Sequence, residues 1–338
     1  MERNAKIGIA GVVLVGLGVA LYYQVKKDAA LGVAVSKFEI PELKVPEDVD
    51  KIDIVNGSKG EVVLEKHGDK WDVTKPVTAP ANAANVKSLI DNMKDLKLVD
   101  RAVTKADDEA KKTYELTPDK GIHIVVMKGD EKKLEATFGK SGGLGDAMML
   151  EGNPDILLVK GYSSWMYGRE VKDWRDREMF KLEDSNIDSF EIDGQHGKFV
   201  FTKPAAKDGG TSDWTAMHDK KPIPNLDPEK VKTCLGAFKT LSAEDFGDGK
   251  SASETGLDAP EETVTMKMKD GGQHVIKVGK PVDKAHYAQR DTDPTIYTIG
   301  AFPYEWASAE VTKFEHPTDA GAPDSGAKGV TAKDAGKK

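Results

Sequence analysis

The chain has 338 residues, 38% of them hydrophobic and 31% charged, a composition of strands and helices that excludes a protein crossing a membrane many times. Its formal net charge is −8; residues 1–27 carry +3 (Arg3, Lys6, Lys26 and Lys27 against Glu2), which leaves −11 for the rest. An acidic body repels a phosphate backbone, so no nucleic acid is expected as a partner. Cys234 is the only cysteine, which excludes an intrachain disulfide and an N-terminal lipid attached through cysteine.

Residues 7–25, IGIAGVVLVGLGVALYYQV, carry no charge. About 20 apolar residues span a bilayer as a helix. Tyr22 and Tyr23 stand where an aromatic belt would meet the interface, and Lys26 and Lys27 follow. A cleaved signal peptide has a shorter apolar stretch ending at small residues. Residues 1–27 are therefore expected to form an uncleaved N-terminal transmembrane anchor. The short N-terminal flank would stay in the cytoplasm, with residues 28–338 on the extracytoplasmic, periplasmic side of the inner membrane. Gly16 and Ala20 have the spacing of a helix-pairing seam, although glycine is common in such helices. Residues 28–50, with Pro41 and Pro46, read as a linker.

From residue 51 the chain reads as one unit written twice. Ile52-Asp53 matches Ile187-Asp188, Trp71 matches Trp214, and Val86 matches Val231. Leu116 matches Leu257, Gly139-Lys140 matches Gly279-Lys280, and Pro154 matches Pro294. The spacings stay close to one another, as they do when insertions are confined to loops. In the first copy Asn82 is a helix N-cap, followed by an apolar stripe of Val86, Leu89, Ile90, Met93 and Leu96. In the second, Asp227 caps a stripe of Val231, Cys234, Leu235, Phe238 and Leu241. Cys234 stands where Leu89 stands, so it reads as a core residue rather than a reactive thiol. After each helix come short alternating runs joined by tight links, the pattern of antiparallel hairpins. The expected fold is α+β: residues 51–183 and 184–316 are two tandem repeats, each an antiparallel sheet or meander with one long amphipathic helix. Residues 317–338 have few large apolar side chains and are expected to be disordered.

The motifs that could carry chemistry fail on spacing. FGKSGGLGDAM, Phe138 to Met148, lacks the glycine a phosphate loop needs and the last glycine of a dinucleotide fingerprint. Ser141 fits G-x-S-x-G, but that motif needs a helix immediately after the serine, and a strand-like AMMLEG follows instead. The seven histidines form no zinc spacing. Asp107, Asp108 and Glu109, and the pair Asp291 and Asp293, read as turn carboxylates rather than cation ligands. No catalytic residue, cofactor or metal is expected. Trp174, Arg175 and Arg177, in EVKDWRDREMF where the first copy hands over to the second, have two readings. They pack the join, or they form a partner-docking surface, since Trp and Arg anchor interfaces.

Taken together, W-x-V-T-K-P (Trp71 to Pro76) with its helix to Leu96, Y-E-L-T-P (Tyr114 to Pro118), F-G-K (Phe138 to Lys140) and D-W-R-D-R (Asp173 to Arg177) resemble the bacterial family called domain of unknown function 4340. The resemblance covers roughly residues 50–315 and is weaker in the second copy. It implies membrane-anchored or exported proteins, often encoded beside ABC-transporter subunits of the gliding-motility-associated type, with no established catalytic residues. The expected function is a non-catalytic, membrane-anchored extracytoplasmic accessory or scaffold protein of such a complex, with protein partners there. Two alternatives remain. One is a module binding a glycan, peptide or lipid near Trp71, Trp165 or Trp214; the other is a hydrolase using Ser141.

Overall fold

The structure, a computed structural model, describes residues 48–203 and 213–317, together with Val19, Tyr22, Lys26, Ile40, Glu42, Leu43 and Val45. Apart from Val19 and Tyr22, the anchor expected over residues 7–25 lies outside the described residues, as does the tail beyond Pro317. Among the described residues no helix is long and apolar enough to cross a membrane. The chain divides into two compact units, Met1–Arg175 and Asp176–Lys338. The division falls inside the D-W-R-D-R run, upstream of the boundary expected after residue 183.

In the first unit, strands β1 (Lys51–Asn56), β2 (Gly60–His67), β3 (Lys70–Lys75) and β4 (Ala79–Pro80) lead into helix α1 (Ala83–Asp95). Then come β5 (Lys97–Val103), the short α2 (Asp108–Thr113), and the meander β6 (Ile122–Lys128), β7 (Glu131–Phe138), β8 (Asp146–Leu150) and β9 (Ile156–Lys160). Two short helices, α3 (Ser164–Tyr167) and α4 (Val171–Trp174), end the unit. Among the described residues the strands form one sheet in the order β4-β3-β2-β1-β6-β7-β8-β9-β5, with every neighbour antiparallel.

One face of this sheet is the core. Ile52, Ile54, Ile124 and Val126 alternate inward along β1 and β6 and meet Val86, Leu89 and Met93 of α1. Each such side chain, fully buried, contributes about 1.5–3 kcal/mol. The helix starts where the sequence places it, because the Asn82 side chain accepts from the Asn85 N–H at 3.0 Å.

The second unit repeats this plan strand for strand. Its strands are β10 (Ile187–Gly194), β11 (Gly197–Thr202), β12 (Thr215–His218), β13 (Lys221–Pro222), β14 (Asp245–Phe246), β15 (Glu262–Met268), β16 (Gln273–Val282), β17 (Ala285–Arg290) and β18 (Tyr297–Ile299). The helices are α5 (Pro228–Lys239), α6 (Ala252–Thr255) and α7 (Ala301–Ala307). The sheet order is β13-β12-β11-β10-β15-β16-β17-β18-β14. Fold class α+β and the duplication are thus both present in the topology.

Register corrects one expected match. Ile52 faces Val126 and Phe190 faces Met266. Val126 and Met266 are 140 residues apart on equivalent strands, so Ile52 is equivalent to Phe190, not to Ile187. The mismatch arises because β10 begins earlier and is irregular between Ile187 and Ser189. The Trp71–Trp214 match stands. Each lies two residues before Val73 or Ala216, which face the equivalent Leu64 and Phe201.

The shared Gly-Lys has a steric cause. A Cβ built on Gly139 would lie 2.2 Å from the Tyr114 carbonyl oxygen, and one on Gly279 would lie 2.2 Å from that of Thr255. Each glycine, just past β7 or within β16, lets the chain touch the C-terminal end of the short helix. Gly139→Ala is expected to destabilise the protein by about 1–3 kcal/mol through overpacking. Gly143→Ala, in open space, should stay within about 0.5 kcal/mol. Urea unfolding of both variants checks this.

Candidate functional site

The D-W-R-D-R run closes the first unit onto α1. The Asn82 backbone N–H donates to the Trp174 carbonyl at 2.7 Å, and the Asn85 side-chain amide donates to the Asp173 carbonyl at 2.7 Å. Arg175 forms a single β-bridge to Ala81. The second unit closes in the same way. The Asp227 N–H donates to the Phe314 carbonyl at 2.8 Å, and Glu315 bridges Leu226.

Trp174 is 0% exposed and belongs to the first unit's core, with the Arg169 guanidinium 5.3 Å from its ring centre. Arg175 is 4% exposed. Trp174, enclosed in the first unit's core, presents no surface to a partner. Of the run, Trp174 packs in the first unit's core. Arg177 is half-buried, and its carbonyl accepts from the Ala243 N–H at 2.8 Å.

Ser141 is exposed in the connection between β7 and β8, two antiparallel neighbours. A strand follows it, so the strand-to-helix elbow is not formed. Asp107 caps α2, accepting from the Ala110 N–H at 2.8 Å. Asp293 is ion-paired with Arg290. Among the described residues no group of three His, Cys, Asp or Glu side chains could hold a metal. Cys234 is 0% exposed, and burial pushes its thiol well above the usual range. Trp214 is 4% exposed and packs on Phe190; Trp71 is half-buried; Trp165 is 68% exposed.

The sequence hid one cluster because it lies across two strands. His123 on β6 has Thr137 Oγ1 3.1 Å from Nδ1 and Glu135 Oε1 3.4 Å from Nε2. With Lys111, Lys112 and Met149, His123 and Thr137 line a cavity of about 640 Å³. The array resembles a hydroxyl–imidazole–carboxylate relay. It sits on central strands whose backbone N–H groups are committed to neighbours on both sides, so the donors facing it are side chains such as Lys111 and Lys112 of the same cavity.

The second unit has a cavity of about 470 Å³ at the same place, lined by Lys277, Gln289, Arg290 and Asp293. There Arg290 donates to the carbonyls of Glu178 and Met179 at 3.1 and 2.8 Å. The equivalent of Arg290 in the first unit is Leu150, so the two clefts have diverged.

The sequence model of the family described as domain of unknown function (DUF4340) matches residues 71–260 and, in a second partial match, 250–318. The chain belongs to the DUF4340 family. No curated protein and no solved structure matches it. The first DUF4340 match starts at Trp71, inside the first sheet, and runs on through α5. The second falls on the later half of the second unit, whose counterpart in the first unit lies inside the first match. The family's pattern is thus present in both units.

Replacing Trp174 with alanine should cost about 3–5 kcal/mol of stability by cavity formation. Trp174→Phe should cost clearly less, because Phe314 holds the equivalent place in the second unit. Chemical denaturation followed by circular dichroism measures both. Cys234 should resist Ellman's reagent in the native protein and react once it is unfolded.

Proposed function

We propose that this protein is a non-catalytic, membrane-anchored accessory protein. It is held by residues 7–25 with its two units on the extracytoplasmic side, and it scaffolds a membrane complex that includes the ATPase and permease subunits of an ABC-type transporter. The shared family landmarks support a role without chemistry, since each has an architectural task. Gly139 allows a close approach, Asn82 caps a helix, and Trp174 fills a core.

The observation that carries the reading is a contrast between the repeats. The first unit exposes Val55 (38%), Leu144 (79%) and Trp165 (68%). The equivalent residues of the second unit are Asp193, Lys284 and Glu305, all exposed. The fold therefore does not require apolar side chains at these positions. β1, β7 and β9 run in the same direction across the sheet. Val55 near the end of β1, Leu144 just after β7 and Trp165 just after β9 therefore share one end of it. Arg169 lies 4.8 Å from the Trp165 ring centre, adding a cation to the apolar surface. Single exposed apolar residues, such as Met217 and Phe302 in the second unit, need no explanation. Several at one end of a sheet fit a partner surface with aromatic and arginine anchors.

The second unit supplies the test substitutions. Tagged full-length protein, captured from gently solubilised native membranes, should bring down ATPase and permease subunits identified by mass spectrometry. Trp165→Glu with Leu144→Lys should cut that recovery by at least about tenfold, the effect of losing a hot spot of 1.4 kcal/mol or more. The melting temperature should stay within about 2 °C, because the second unit carries these residues natively. Capture of the wild type alone, or undiminished recovery with the variant, overturns the reading. Carbonate washing of membranes should leave the protein in the pellet, and its release would remove the anchor from the proposal.

A further inference from the structure

The second unit contains a carboxylic acid where the first has a core isoleucine. Glu262 opens β15 and is 2% exposed, and its counterpart on β6 is Ile122. The carboxyl lies over Gly194, the last residue of β10, where a Cβ would come within 1.5 Å of Oε2. The backbone and side-chain amides of Gln195, in the turn between β10 and β11, lie beside it and favour its ionised form. Its other oxygen, Oε1, has no hydrogen-bond partner among the described residues.

Among the described residues, none of the groups that act most on this carboxyl is a cation. Glu261 and Asp193 are negative and oppose ionisation. His286 on β17 stacks on Tyr304 of α7, with ring centres 3.4 Å apart. Burial lowers the His286 pKa, so the ring stays neutral where Glu262 titrates. Tyr304, raised chiefly by burial and also by Glu261 and Glu262, stays protonated there too. Burial, the largest effect, pushes the Glu262 carboxyl up to about 7, outweighing the hydrogen bonds from Gln195.

We infer that Glu262 and the 194–197 turn form a pH-sensitive latch. The neutral acid is stable under the turn; the ionised acid, which the Gln195 amides favour but burial disfavours more strongly, moves toward water and loosens the turn from β15. The sign follows from linkage. A folded-state pKa raised above the unfolded one gives stability that is complete below the ordinary carboxylate range. That stability is lost as the pH rises through about 7. The inference rests on the second unit alone and does not depend on the anchor or on transporter partners.

Hydrogen–deuterium exchange of the full chain in detergent micelles, read at the peptide holding Gln195, tests it. Wild type and Glu262→Gln are compared at the same pH, so the intrinsic pH dependence of exchange cancels. At pH 5.5 the two should be equally protected. At pH 8.0 the wild type should be at least about tenfold less protected, the equivalent of one pKa unit of ionisation free energy. The melting temperature of the wild type should fall over this interval, while that of Glu262→Gln should stay flat. Glu262→Ile, the first unit's own solution, should also be flat. Equal protection of wild type and Glu262→Gln at pH 8.0, or the same melting profile for both, overturns the latch.

Discussion

The same backbone hydrogen bond helps to close each unit: from the N-cap residue of the long helix to an aromatic residue of the closing segment. Asn82 donates to Trp174 in the first and Asp227 to Phe314 in the second. Four N–H groups at a helix start lack helical partners, and that of the N-cap residue is the first of them. Here its side chain serves the helix while its own N–H holds the end of the unit. That places an aromatic ring, Trp174 or Phe314, in the core under the helix. The main core lies on one face of the sheet, and a single helix cannot cover nine strands. The closing segment completes the cover, so a residue that reads as a surface anchor is an interior one.

Duplication separates what the fold needs from what each copy does. The strand order is the same in both units, and so are the helix caps, the close-approach glycines and the closing aromatic. The differences are chemical and local. Val55, Leu144 and Trp165 become Asp193, Lys284 and Glu305; Ile122 becomes Glu262; Leu150 becomes Arg290. A packed core tolerates little change of volume, whereas a strand end or a turn tolerates a change of polarity. The first unit has become the more apolar at one end, and the second has taken a buried acid.

Much of the fold was legible because its signals are local. The stripe Val86, Leu89, Met93 has the helical period, Asn82 and Asp227 are capping residues, and the hairpin links are short. The register of β10 was not legible from pattern alone. Ile187-Asp188 copies Ile52-Asp53 in letters, yet hydrogen bonding against β15 pairs Phe190 with the place of Ile52. β5 was also hidden, since its partner β9 lies more than fifty residues away and its run KLVDRAV has no clean alternation. The cluster of His123, Thr137 and Glu135 and the pocket around Glu262 were invisible for a related reason. Each is assembled by cross-strand neighbours that sequence spacing does not relate.

The sequence by itself determined the family, the α+β class, the two copies and the helix starts. The family rests on the resemblance of its motifs, and the rest on composition, on periodicity and on residue types with one conformational preference. Tertiary structure decided exposure. It buried Trp174 and left Trp165 in solvent, although both are tryptophans in short helices of the same unit. It enclosed Glu262 while leaving Glu261 exposed. Whether a side chain meets water depends on which strands and helices cover it, and that is set by long-range pairing rather than by its neighbours in the chain.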